Sequence, residues 1–260
     1  MLSPAANILL RTPRDVYWFI DQMKFVSPGN LHALWIPYPT DTTTNALKPD
    51  GRVWTNSATI AGRITRQDNG VLVSFNGTDQ LVTTPDTADL SPVDGAFSIV
   101  AVVNVTNTAA TRRILSKYTA GSVVREFNFY VVNNDRLALG LFDSSASVEV
   151  SRSSTSAVTQ GALNVLGCSY DPAIGSGATV ADGVTLYEHG VVKASASANN
   201  ASFVAMENTA AAVVIGSDAD GANWFTGSMG VVAMWVGTAL TAAQHKQIAR
   251  IASDFYNVRL

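Results

Sequence analysis

The chain has 260 residues and a formal net charge of −3; 47% of its residues are hydrophobic and only 14% are charged. That balance supplies a sizeable core, excludes charge-driven disorder and gives no electrostatic basis for wrapping nucleic acid. The single cysteine, Cys168, excludes an intrachain disulfide framework and a cysteine-based metal cluster.

The first residues carry an apolar patch at Ile8, Leu9 and Leu10, with no basic residue before it and a proline at Pro4. A signal peptide needs positive charge followed by a longer apolar run, so the expectation is a chain made in the cytoplasm without one. Residues 11–25 place Val16, Phe19, Ile20 and Met23 at i, i+3, i+4, i+7, one apolar stripe of a helix. Asp15 is a candidate cap for its start, and Pro28-Gly29 ends it. Two readings stay open for residues 1–30. The helix packs on its own domain, or it is an anchoring arm whose Tyr17, Trp18, Phe19 and Met23 dock on a neighbouring subunit, since exposed aromatics are costly without a partner.

From Leu31 onward the hydrophobic period changes to two, and residues 31–260 read as one domain. Residues 71–75 and 80–84 flank Asn76-Gly77, a dipeptide suited to a tight hairpin because both positions tolerate positive φ. Residues 97–105 read as a central strand. Phe127, Phe129 and Val131 alternate with second-face residues, as do Leu137, Leu139 and Leu141, across the turn chemistry of Asn133-Asn134-Asp135. Ala146, Val148 and Val150 continue the alternation. Residues 163–170 read as a buried strand. His189-Gly190 reads as a second two-residue hairpin, and residues 213–215 and 229–236 complete the set. Many short strands with almost no helical pattern between them mean an all-β sandwich or barrel. The window 220–245 is interrupted by Gly221, Gly227, Gly230 and Gly237, so it lacks the roughly 20 apolar residues of a membrane helix. One terminal helix is expected: Thr241 and Gln244 form a capping box, followed by a stripe of Ile248, Ile251, Ala252 and Phe255.

The order of these segments resembles the laminin-G-like branch of the concanavalin A-like lectin/glucanase superfamily. The resemblance is carried by Leu34-Trp35, by Val73-Ser74-Phe75-Asn76-Gly77-Thr78-Asp79-Gln80-Leu81-Val82, by Phe97-Ser98-Ile99 and by Ile114-Leu115-Ser116-Lys117. It continues through Gly167-Cys168-Ser169-Tyr170-Asp171, Thr185-Leu186-Tyr187-Glu188-His189-Gly190, Ile215-Gly216, Phe225-Thr226-Gly227-Ser228-Met229-Gly230 and Ala239-Leu240-Thr241. It implies a jelly-roll sandwich of two antiparallel sheets, in which a strand near the N-terminus lies beside one near the C-terminus. Three departures stand out. Ala162-Leu163-Asn164 replaces a usual tryptophan, Gly230-Val231 replaces a usual acidic pair, and Glu188 stands where an apolar residue is commoner.

Glycanases of that superfamily work with two closely spaced carboxylates on one strand. Here Glu126, Glu149, Glu188 and Glu207 are each isolated, so no enzyme activity is expected. His32, His189 and His245 form no zinc motif, there is no nucleophile elbow, and Cys168 reads as a small core residue. Asp218-Ala219-Asp220-Gly221 is a candidate calcium loop in which Asp218 and Asp220 supply carboxylates, although turn formation alone explains it. Trp224, just after it, is a candidate sugar-stacking platform or a packing residue. The expected function is therefore non-enzymatic: a bacteriophage virion component, decorating the capsid or forming part of a tail. It would expose the sandwich, anchor through the N-terminal segment, and meet other virion proteins or further copies of itself. The alternative is a carbohydrate-binding module for a cell-surface glycan. Neither reading involves nucleic acid or a membrane, and no cofactor beyond that candidate calcium is expected.

Overall fold

In the computed structural model, the described residues are 13–37, 52–56, 72–106, 109–119 and 124–258. Ile8, Leu9 and Leu10 and the side chain of Asp15 lie outside them. The chain opens with α1 (Pro13–Val26), which has a proline at its first turn, where no intrahelical N–H bond is lost. The strands are β1 (Leu31–Trp35), β2 (Thr55–Asn56), β3 (Val73–Asn76), β4 (Val82–Thr84), β5 (Phe97–Val105), β6 (Arg112–Tyr118), β7 (Arg125–Val131) and β8 (Arg136–Asp143). They continue as β9 (Val148–Ala157), β10 (Leu163–Tyr170), β11 (Val184–Glu188), β12 (Val191–Val192), β13 (Ser195–Ala198), β14 (Val213–Ile215) and β15 (Thr226–Val236). The capping box opens α2 (Ala242–Tyr256), with the Thr241 hydroxyl accepting from the Gln244 N–H.

All pairings are antiparallel and build two sheets. One has seven strands in the order β1-β15-β5-β10-β11-β12, with β3 also paired to β15; the other has eight, in the order β13-β9-β8-β7-β6-β14-β4-β2. The expected neighbours from opposite ends of the chain meet where β1 pairs with β15. Between the sheets lies a continuous core that includes Trp35, Phe97, Phe127, Phe129, Leu139, Leu186 and Met234, the inward set of each strand. Cys168 is part of it, and burial drives its thiol pKa well up.

A second core covers the outer face of the seven-stranded sheet. Val16, Phe19, Ile20, Met23 and Val26 of α1 meet Ile248, Ile251, Ala252 and Phe255 of α2 over Val100, Val102, Val165, Ala233 and Trp235. The Phe19 and Phe255 rings lie 4.5 Å apart, and the Gln244 amide donates to the Val26 carbonyl at 2.7 Å. The departure at Gly230-Val231 belongs to this layer. A bulge in β15 between Met229 and Val232 frees the Val231 N–H, which donates to the Tyr256 hydroxyl at 2.9 Å. A side chain at Gly230 would overlap that hydroxyl. The position is given to helix docking, which leaves no room for an acid.

Two local expectations are corrected. Residues 71–75 and 80–84 do not form a hairpin: β3 joins β15 in one sheet, while β4 joins β14 and β2 in the other. The Asn76-Gly77 turn exists, but polar side chains satisfy the backbone groups a ladder would have used. Asn76 Oδ1 accepts from the Thr78 N–H at 3.0 Å, and Gln80 Oε1 takes the Asn76 N–H at 2.7 Å. The chain is thereby free to cross between sheets. Ala146 lies in a turn closed by Asp143, whose Oδ1 accepts from the Ala146 N–H at 2.9 Å, so β9 starts at Val148. The His189-Gly190 hairpin forms as expected: Glu188 pairs with Val191, and both turn residues have positive φ, 53° and 74°.

Candidate functional site

With α1 and α2 on the seven-stranded sheet, the outer face of the eight-stranded sheet carries no helix among the described residues. Its character is set by the even-numbered side chains of β7 and β8, whose odd-numbered neighbours fill the core. Registers place Ser116, Asn128, Gly140 and Ser151 in one row across β6, β7, β8 and β9. This is a floor of small and polar residues, with larger ones standing to each side: Arg113 and Tyr130 on one, Tyr118, Arg125, Phe142 and Glu149 on the other.

A bulge sets the second wall. Lys117 faces Phe127 while Tyr118 faces Arg125, so Glu126 is the extra residue on β7. Bulges re-aim side chains. Here Arg125 turns outward beside Tyr118, while Glu126 turns inward to a buried ion pair with Lys117. Glu126 also accepts from the Thr209 N–H at 2.6 Å, and burial still pushes its carboxyl pKa upward against those partners.

Outward, cations and rings interleave. The Arg113 guanidinium lies 4.6 Å from the Tyr130 ring centroid and 5.4 Å from that of Tyr118. Arg125 stands 5.2 Å from Tyr118, whose ring is 4.8 Å from Phe142. Each such contact is worth about 0.5–2 kcal/mol, depending on desolvation. Burial pushes the Tyr130 hydroxyl pKa up to about 12, with Glu149 adding to it, so the phenol stays neutral. Tyr118, Arg125 and Tyr130 are half-buried and present surface to solvent. Beneath them Asn128 is fully buried, and neither its amide nitrogen nor its carbonyl oxygen has a hydrogen-bond partner. A buried amide without partners costs about 1–3 kcal/mol.

The loop 217–224 docks at the edge of this face. The Ser116 hydroxyl donates to the Ser217 carbonyl at 2.7 Å, and the Ala219 N–H to the Tyr118 carbonyl at 2.8 Å. This placement corrects the reading of the calcium loop. Asp218 is fully buried: it takes the Arg113 Nε–H at 2.5 Å and the Asn223 amide at 2.7 Å, so its carboxylate serves as counter-ion to the cluster. Asp220 is exposed beside it. No group of three or more His, Cys, Asp or Glu side chains able to hold a metal occurs among the described residues. Trp224 is half-buried, and a Cβ on Gly221 would lie 3.1 Å from its ring. It packs on its own loop while flanking the cluster.

The four residues expected to anchor the chain divide by helix face. Phe19 and Met23 are buried in the chain's own second core, because the i, i+3, i+4, i+7 stripe is the side that α2 covers. Tyr17 (59% exposed) and Trp18 (42%) face outward, together with Phe25 (71%). The glutamates are dispersed, as their spacing implies: Glu188 pairs with Lys193 at 2.5 Å, and Glu207 accepts from the Ser145 N–H at 2.9 Å. His245 is buried, accepting from or donating to the Ser169 hydroxyl at 2.8 Å and stacking on Tyr187 at 3.8 Å. The Arg113, Tyr118, Arg125, Asn128, Tyr130 and Phe142 cluster is absent from the sequence-based site residues. The available signal was the set of large outward positions on strands whose inward positions were already assigned to the core. No described helix is long and apolar enough to cross a membrane.

Comparison with solved structures gives the binding domain of Paraclostridial Mosquitocidal Protein 1 at TM-score 0.63 and 8% identity, over 89% of this chain and 56% of that one. A Trypanosoma rangeli sialidase in complex with sialic acid matches at TM-score 0.60 and 11% identity, over 94% and 38%. The botulinum neurotoxin serotype G binding domain matches at 0.52 and 12%, over 87% and 48%. The chain thus spans about half of these proteins or less, and at such identities the likeness is one of fold. Among curated proteins none matches. Residues 76–244 match the laminin-G type family described as concanavalin A-like lectin/glucanases, which covers more than half of the sequence and runs from the Asn76 turn to the first turn of α2. The chain therefore belongs to the concanavalin A-like lectin/glucanase superfamily.

Proposed function

We propose that the chain is a non-enzymatic glycan-binding module whose ligand face is the outer face of the eight-stranded sheet. One observation carries this reading: half-buried Tyr118, Arg125 and Tyr130 stand over a buried Asn128 amide that has no hydrogen-bond partner. Rings and guanidinium planes suit the apolar faces of sugar rings, and an amide suits vicinal hydroxyls, since it can both donate and accept. The sialic-acid complex and the toxin binding domains that share the fold are in keeping with it. The isolated glutamates favour recognition over hydrolysis.

The test is a glycan array read with the full chain, then with Tyr118→Ala and Arg125→Ala. Each substitution should weaken binding by about tenfold, or roughly 1.4 kcal/mol, with melting temperature unchanged. Binding lost only in Trp224→Ala would move the site to the loop, and an array with no ligand would remove the reading.

The setting we propose is a bacteriophage particle, with the module mounted on a capsid or tail protein or on further copies of itself. The exposed Tyr17, Trp18 and Phe25 on α1 favour this attachment, because rings so exposed on a well-packed helix suit a protein partner. Substituting all three by serine should abolish incorporation into particles while leaving the fold intact. Normal incorporation would exclude α1 as the anchor.

A further inference from the structure

On the opposite side of the sandwich, a cleft of about 370 Å³ opens between the β11–β12 hairpin and the outer face of α2, lined by His189, Lys246, Ala249, Arg250, Ser253 and Asp254. Both walls are fixed. Gly190 seats the hairpin so closely that a Cβ there would overlap the Lys246 backbone, and the His189 N–H donates to the Val165 carbonyl at 2.7 Å. Lys246 and Arg250 are exposed, four residues apart on one face of α2, an arrangement of like charges that destabilises a helix. Neither has an ion-pair partner among the described residues. His189 Nδ1 is buried without a hydrogen-bond partner.

We propose that this cleft binds an oxyanion group, a sulfate, phosphate or carboxylate, held by Lys246 and Arg250 with His189 as a third donor. The charges facing it support that sign. Asp254 contributes one negative charge against two positive ones. On the hairpin, Glu188 is neutralised by Lys193 at 2.5 Å and also accepts the Thr159 N–H at 3.1 Å. Burial lowers the His189 pKa, opposed by Glu188 and assisted by Lys193, so the free cleft holds a neutral imidazole near pH 7. A bound oxyanion favours its protonation, and binding therefore tightens as pH falls. The volume lies in the range of small-molecule sites, so there is room for the group that carries the anion.

The experiment is NMR titration of the full chain with sodium sulfate, glucose-6-sulfate and glucose, following the His189 ring. Sulfate should raise the His189 pKa saturably, and K246Q/R250Q should weaken that binding by about tenfold or more while the His245 signals and melting temperature stay put. Glucose-6-sulfate binding about tenfold tighter than sulfate identifies a sulfated sugar as the ligand, and equal affinity identifies the free ion. Shifts that stay linear in sulfate, or equal affinity in the double variant, overturn the proposal. So does glucose binding as well as its sulfate.

Discussion

The buried His245 should make stability fall with pH in an amount that can be isolated. Burial lowers its pKa from 6.5 to about 3, because a charged imidazole between Tyr187, Ser169 and the backbone at Gly167 would lose its hydration. In the unfolded chain the same ring titrates near 6.5, about the model-peptide value. Between these values the unfolded state binds the extra proton, so stability is full above about pH 6.5 and drains as pH falls toward 3. At pH 5 the unfolded state has gained about 1.5 pH units of protonation free energy, or roughly 2 kcal/mol at 1.36 kcal/mol per unit. Urea unfolding of the native chain and of His245→Gln at pH 8 and pH 5 measures the difference. Glu126 and Asp218, whose pKa values burial raises, titrate in both proteins and cancel in the subtraction. The variant should be the less stable at pH 8, with the gap narrowing by about 2 kcal/mol at pH 5. A gap that does not change with pH would refute the reasoning, as would a native His245 ring that titrates near 6.5.

Phe19→Ala should cost about 3–5 kcal/mol in urea unfolding, since it removes the ring against Phe255; Trp18→Ala on the outward face should stay within about 0.5 kcal/mol. For the same reason, deleting residues 1–28 should lower the melting temperature sharply and expose apolar surface to a hydrophobic dye. A truncated chain as stable as the whole would contradict the second core. Arg113→Ala should cost about 3–5 kcal/mol by leaving buried Asp218 without its cation, and Arg113→Met with Asp218→Leu should recover most of it. Gly190→Ala should cost roughly 1–3 kcal/mol, from positive φ and from overlap with α2, and amide exchange should rise first in β12.

The sequence showed clearly those parts of the fold whose residues repeat a period locally. β5, β10 and β14 run over the expected residues, and the α2 capping box is in place, because inward side chains or a cap mark each of them without reference to distant chain. The Asn76 hairpin failed because a turn dipeptide specifies only that the chain reverses. Which sheet each arm joins was decided by β15 and β14, about 150 and 130 residues away, and by Gln80 satisfying the turn from inside. The candidate site was hidden for a related reason. Alternation assigns Tyr130 and Phe142 to the outer face and then treats that face as solvent, whereas one bulged residue, Glu126, turns Arg125 to meet Tyr118 from the neighbouring strand. Asp218 read as a metal ligand from its own loop, and its actual partner, Arg113, lies 105 residues earlier in sequence. A carboxylate in a turn is chemically open until the strand beneath it is known. In this sandwich that strand supplies a cation, so the loop's charge is spent on holding the cluster together, and the surface left to meet a ligand is made of rings and Arg125.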